Sequence, residues 1–139
     1  MARTFVDSNV FFYAKVGDRI FGESCTRVLR AISNGQLQAS MSVLIPLEVA
    51  NALAKYGRAK QVPSEIAAML SMGIEVLPLD ASDLGEVGSV FEETGISPYD
   101  CSHAVLMRRY AIREIISADG DFDRFDWLIR TDPRRLLNG

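Results

Sequence analysis

Thr4-Phe5-Val6-Asp7-Ser8-Asn9-Val10-Phe11-Phe12-Tyr13 opens as a short apolar run, stops at a carboxylate, and becomes apolar again. Thr4-Phe5-Val6 reads as a first strand, and Val10 to Tyr13 as a short helix. An apolar strand leading straight into a helix is the opening move of an α/β layer fold. The rest of the chain repeats the alternation. Cys25, Val28, Leu29 and Ile32 recur at i, i+3, i+4 and i+7, one apolar helix face, with Arg27 and Arg30 on the other side. Asn34-Gly35 ends that helix, since both residues tolerate the left-handed C-terminal position. Leu37 to Met41 is a second strand. Ser42 or Ile45 opens the next helix, which admits Pro46 in its first turn and runs to about Tyr56. Pro63 opens another, with Ile66, Met69 and Leu70 on one face and Gly73 at its end. Ile74 to Leu77 is a strand. Asp80 caps a helix through Phe91, with Asp83 completing a capping box. Ser97-Pro98 starts a helix that reaches Arg109 or Tyr110. Glu114 to Ser117 is a strand, and Trp127 to Arg130 a final edge strand before Asp132-Pro133 and a short tail. The expected architecture is α/β: a mainly parallel central sheet flanked by helices in three layers, as one domain over 1–139.

Composition sets the outer bounds. The chain has 139 residues, 48% hydrophobic and 24% charged, typical of a globular domain with its own core. Cys25 and Cys101 suit small buried hydrophobes in a reducing compartment better than a disulfide or a zinc site. The first residues lack the apolar stretch of a signal peptide, and no apolar run reaches membrane-spanning length. A cytoplasmic protein without a membrane segment is therefore expected. The net charge of −3 lacks the basic footprint usual in nucleic-acid proteins. Bound divalent cations would reverse the local field, so total charge does not decide the matter.

The acids fall where a parallel sheet builds its sites. Asp7 follows the first strand and Asp119 follows the strand ending near Ser117; ligands of such sheets bind outside the carboxyl ends of the strands. Glu48 and Asp100 lie in the first turns of two helices and can face the same edge. Four carboxylates in one crevice would repel, and a hard cation such as Mg²⁺ relieves that repulsion with few protein ligands. Each acid alone has a plainer reading. Asp7-Ser8-Asn9 and Asp119-Gly120-Asp121 are possible turns. Asp100 lies where an acid favours a helix start. Glu48 shares a polar helix face with Asn51 and Lys55.

Four pieces together resemble the PIN-domain family, especially its VapC-like toxins. They are Phe5-Val6-Asp7-Ser8-Asn9, Leu47-Glu48-Val49-Ala50-Asn51-Ala52-Leu53, Tyr99-Asp100-Cys101-Ser102-His103-Ala104 and Ser117-Ala118-Asp119-Gly120-Asp121-Phe122. The resemblance covers nearly the whole chain. It implies that Asp7, Glu48, Asp100 and Asp119 are the catalytic, metal-binding acids, with Asp121 in support and Asp123 on the surface. It implies that Asn9 and Ser117 steady the carboxylates. Cys101 stands where the family has a small residue and is read as buried and inert. His103 matches a common family histidine, with packing or a hydrogen bond near the site weighed above a general-base role.

The implied activity is endoribonuclease cleavage with Mg²⁺ or Mn²⁺, leaving a 5′-phosphate and a 3′-hydroxyl. Asp7 and Asp119, at strand ends, are expected to be the principal ligands. The implied partners are RNA, an antitoxin protein and a second copy of the chain. Lys55, Arg58 and Lys60, and Arg108, Arg109 and Arg113, are candidates for an RNA-facing rim, against a plain solubility role. Phe11, Phe12, Tyr13 and Phe21 are candidates for an antitoxin groove, against core packing. The alternatives are a PIN nuclease of RNA processing without an antitoxin and a non-catalytic RNA- or partner-binding module. A haloacid-dehalogenase-type phosphotransferase fits poorly, since Asn9 stands where its second Asp would be.

Overall fold

The computed structural model describes residues 3–136. Five strands form one sheet: β1 (Thr4–Val6), β2 (Ala39–Ser42), β3 (Glu75–Leu77), β4 (Glu114–Ile116) and β5 (Ile129–Thr131). Their order is β3-β2-β1-β4-β5, and every pairing is parallel. Among the described residues six α-helices flank the sheet: α1 (Ser8–Val16), α2 (Gly22–Ser33), α3 (Ile45–Lys55), α4 (Val62–Leu70), α5 (Leu84–Thr94) and α6 (Pro98–Arg109). This is the three-layer α/β architecture that the alternation predicted.

The central strand explains the topology. Thr4, Phe5, Val6 and Asp7 are all buried, as expected for a parallel strand covered on both faces. From β1 the chain builds outward to β2 and β3 on one side, then returns to build β4 and β5 on the other. The order reverses at β1, which places a crevice beyond the carboxyl ends of β1 and β4. Phe5 pairs with Ser40 of β2 and with Ile115 of β4. Phe5, Val10, Phe11, Cys25, Val28, Met41, Leu53, Leu106, Ile115 and Phe122 belong to one buried cluster.

Several elements differ from expectation for local reasons. Asp7 caps α1 by accepting from the Ser8 N–H, so the helix starts at once and runs to Gly17, whose φ of +66° ends it. Asn34 stays right-handed at φ −80°, and Gly35 alone takes the left-handed turn at +76°. β2 lies later than Leu37 to Met41, because Thr4 pairs with Ala39. β5 likewise begins at Ile129, opposite Glu114. Asp80 and Asp83 form the predicted capping box, but a 3₁₀ turn (Ala81–Asp83) precedes α5. On α4 only Met69 is buried, and Leu70 is exposed rather than on an apolar face. α6 starts at Pro98 behind Ser97, whose hydroxyl accepts from the Asp100 N–H. Cys25 and Cys101 are both free and buried, and burial pushes the Cys25 thiol up to about 12.

α1 and α2 meet at Gly22. A Cβ there would lie 2.9 Å from the Gly17 carbonyl carbon and 3.2 Å from the Tyr13 carbonyl oxygen. Both obstacles are backbone, which cannot swing aside. Gly22→Ala is therefore expected to destabilise the protein by about 1–3 kcal/mol in denaturant titration. Gly88→Ala, on exposed α5 with open space around it, should instead stabilise by about 0.5–1 kcal/mol. Equal effects at the two positions would rule out the close-approach explanation.

Candidate metal centre

The crevice is built from the ends of two strands and the starts of two helices. Asp7, at the end of β1, is buried and fully engaged. Its Oδ1 accepts from the Ser8 N–H at 2.8 Å. Its Oδ2 accepts from the Ser117 hydroxyl at 2.6 Å and from the Asn9 amide at 3.3 Å. The Asn9 amide also donates to Ser117 Oγ at 3.1 Å, while Asn9 Oδ1 accepts from the Ala118 N–H at 3.2 Å. Ser117 Oγ further accepts from the Asp119 N–H at 3.0 Å. One small network thus welds the loop after β1 to the loop after β4. Arg130 braces it from behind, donating to the Ser117 carbonyl at 2.9 Å. Nothing in the sequence marks Arg130 for this task; the β4–β5 pairing puts it there.

Glu48, in the first turn of α3, meets His103 on α6. His103 Nε2 lies 2.8 and 3.2 Å from the two carboxylate oxygens. The ring is fully buried against Phe5, with centroids 5.4 Å apart. Nδ1 meets no partner among the described residues, so in the neutral ring the proton sits on Nε2 against Glu48. His103 therefore orients an acid.

One ligand atom from each of Asp7, Glu48, Asp100 and His103 lies within 4.8 Å of the others. A second group so placed contains Asp100, Asp119 and Asp121. Asp100 belongs to both. Among the described residues no such group contains both Asp7 and Asp119, the pair expected to act together as principal ligands. Asp119 instead caps the 3₁₀ turn Gly120–Arg124 by accepting from the Asp121 N–H. Asp123 lies outside both groups, paired through both oxygens with Arg130 at 3.0 Å.

The electrostatics are those of crowded acids. Burial raises Asp7 above the usual carboxylate range, more than the nearby His103 and the Ser117 hydrogen bond lower it. Asp100 is pushed up to about 7, first by burial and then by the charge of Asp7. Burial alone would lower His103, but the hydrogen bond and charge of Glu48 outweigh it and hold the ring above its ordinary value. Among the described residues no Lys or Arg pairs with Asp7, Asp100, Asp119 or Asp121. Hard oxygen donors, partly desolvated and without a protein cation, suit a hard divalent ion.

The basic candidates scatter. Arg109 is spent on Asp83 and Asp80, at 2.8 and 3.0 Å. Arg108 covers the Trp127 ring at 5.0 Å, and Arg58 lies over Tyr56 at 5.9 Å. Arg108 and Arg109 end α6, about 12–14 Å along its axis from Asp100. Arg113 precedes β4, at the opposite edge of the sheet from Asp119. Lys55 lines a groove that includes Glu48. Of the aromatic candidates, Phe11 is core, Tyr13 stacks on Phe21 at 5.2 Å, and Phe12 meets Tyr56 edge-on at 5.5 Å.

A parallel sheet with an acidic crevice at its switch point is the frame of a ligand- or metal-binding α/β domain. The sequence matches the PIN domain family profile over residues 4–128, and the chain belongs to that family of nucleases. Among solved structures it is similar to VapC20 of Mycobacterium tuberculosis, described as a sarcin-ricin loop cleaving toxin. The identity is 17%, the coverage 87% of this chain and 93% of that one, and the TM-score 0.73. It is similar to VapBC2 of Rickettsia felis bound to a promoter DNA fragment, with 18% identity, coverage of 93% and 97%, and a TM-score of 0.68. It is also similar to DNA-bound VapBC of Salmonella typhimurium, with 15% identity, coverage of 96% and 99%, and a TM-score of 0.70. At such identities the likeness speaks for the fold. No curated protein sequence matches significantly. Among the described residues no helix is long and apolar enough to cross a membrane.

The raised Asp100 carboxyl has a thermodynamic consequence. A carboxyl that binds its proton more tightly in the folded state adds stability at low pH, which is lost as pH rises from about 4 towards about 7. Asp100→Asn removes that loss. In metal-free protein at pH 8 it should raise stability by about 1 kcal/mol, a melting-temperature gain of about 2–8 °C. The gain should shrink towards zero at pH 4. A variant equally stabilised, or destabilised, at both pH values would contradict the origin of the shift.

Proposed function

We propose that this chain is a divalent-metal-dependent endoribonuclease, a single PIN-like domain acting in the cytoplasm as the toxin of a toxin–antitoxin pair. The observation that carries the nuclease reading is the convergence of Asp7, Glu48 and Asp100, with Asp119 and Asp121 adjoining, at the sheet's switch point, where among the described residues no Lys or Arg pairs with any of them. The toxin reading is supported by the similarity to VapC20 and to the VapBC complexes. On that reading the chain works as a homodimer that an antitoxin protein holds inactive.

Asp7, Glu48, Asp100 and Asp119 would hold Mg²⁺ or Mn²⁺, with Asp121 in support. When bound, such an ion lowers the pKa of a water and offsets the charge of the phosphodiester. The chain's own contribution is placement. Ser117 and Asn9 fix the Asp7 carboxylate, and His103 fixes Glu48. The acids held in this way would keep their remaining lone pairs for the ion. Water adds to phosphorus as the bond to the 3′-oxygen breaks, leaving a 5′-phosphate and a 3′-hydroxyl.

The test is incubation of the pure protein with structured and single-stranded RNA in Mg²⁺, in Mn²⁺ and in EDTA. EDTA should stop cleavage. Asp7→Asn and Asp119→Asn should each lower the rate by about a thousandfold, roughly 4 kcal/mol of transition-state stabilisation. Cleavage surviving in EDTA, or in both variants, would defeat the proposal. Ser117→Ala should weaken Mn²⁺ binding in calorimetry by about 10–100-fold, since it removes the shortest support of Asp7.

A further inference from the structure

The acidic crevice does not end at Glu48. A groove of about 480 Å³ continues from it between α3 and the start of α6, lined by Leu44, Leu47, Glu48, Asn51, Lys55 and Tyr99. Leu47 and Tyr99, 60% and 59% exposed, stand together on this one small surface. Among the described residues the Lys55 ammonium has no ion pair, and neither the Asn51 amide nor the Tyr99 hydroxyl has a hydrogen bond. Lys55 lies two helical turns beyond Glu48 on the same face of α3, about 10 Å along the axis.

We propose that this groove is a nucleobase subsite of the nuclease, in which one base of a single-stranded RNA stacks on Tyr99 while Lys55 meets a neighbouring phosphate. The inference rests on the reading of the acids as a nuclease centre. Three features select this occupant. A groove of this volume suits a ring better than a helix. An aromatic face with an apolar floor and a cation on the rim is how proteins hold unpaired bases and their backbone. Asn51 adds an amide able to donate to and accept from a base edge. A second copy of the chain is the weaker fit, because lysine is depleted from the centres of protein interfaces. The subsite would make bases beside the cut matter, so cleavage would favour unpaired over helical RNA.

The experiment is an anisotropy titration of the full chain in Ca²⁺ with two labelled ten-nucleotide strands, one ordinary RNA and one wholly abasic. Tyr99→Ala should weaken binding of the base-bearing strand about tenfold and leave the abasic strand unchanged. Tyr99→Phe, which keeps the ring, should retain wild-type binding. Lys55→Ala should weaken both strands alike and reduce the slope of log K against log salt by about one. The proposal is overturned if Tyr99→Ala affects both strands equally or neither. It is overturned too if light scattering shows Tyr99→Ala converting a dimer to a monomer, which would make the groove a contact between copies. Cleavage with Mn²⁺ is read separately. Base-dependent binding without cleavage would defeat the nuclease reading alone, and cleavage without Tyr99 dependence would defeat only the subsite.

Discussion

The hydrogen bond from Ser117 to Asp7 is the constraint on which the site depends. Its two residues are separated by most of the chain, and its length of 2.6 Å holds the loop after β1 against the loop after β4. The bond exists because β4 returns to pair beside β1 after the chain has built outward through β2 and β3. The two strand-end loops hang from that junction. Asn9 completes the clasp, Arg130 braces its back, and Asp119 takes its direction from the same hydroxyl.

The acids gathered there oppose folding. Asp7 and Asp100 are both held above the ordinary carboxylate range, chiefly by burial. A protein built only for stability would place an arginine among them, as it does elsewhere: Asp83 has Arg109 and Asp123 has Arg130. Leaving the cluster open keeps oxygens available to a cation at the expense of the metal-free fold. Among the described residues His103 is the basic group grouped with these acids, and its hydrogen bond goes to Glu48 rather than to Asp7 or Asp100.

Charge is also distributed by edge. The carboxyl edge of the sheet collects acids, with Arg130 bound among them to Asp123, while Arg3 and Arg113 sit before β1 and β4 at the other edge, beside Glu75 and Glu114. Lys55 stands at the far end of α3 from Glu48, in the groove with Asn51 and Tyr99.

Much of this was legible in the sequence. The alternation of strands and helices, the Ser97-Pro98 start, the capping box at Asp80 and the placement of Asp7 and Asp119 after strands all depend on neighbours a few residues apart. Such short-range preferences survive without tertiary context. Boundaries slipped where pairing register overrode local pattern, as at Ala39 and Ile129, and where packing left Leu70 outside. Tertiary structure alone decided the grouping of the acids. Asp100 became the shared member, Asp7 and Asp119 fell into different groups, and His103 was turned onto Glu48. Those outcomes are set by contacts between residues tens of positions apart, whose distances follow from strand order and helix docking. The sequence determined which carboxylates stand at the crevice; the packing of four separate elements determined which of them meet.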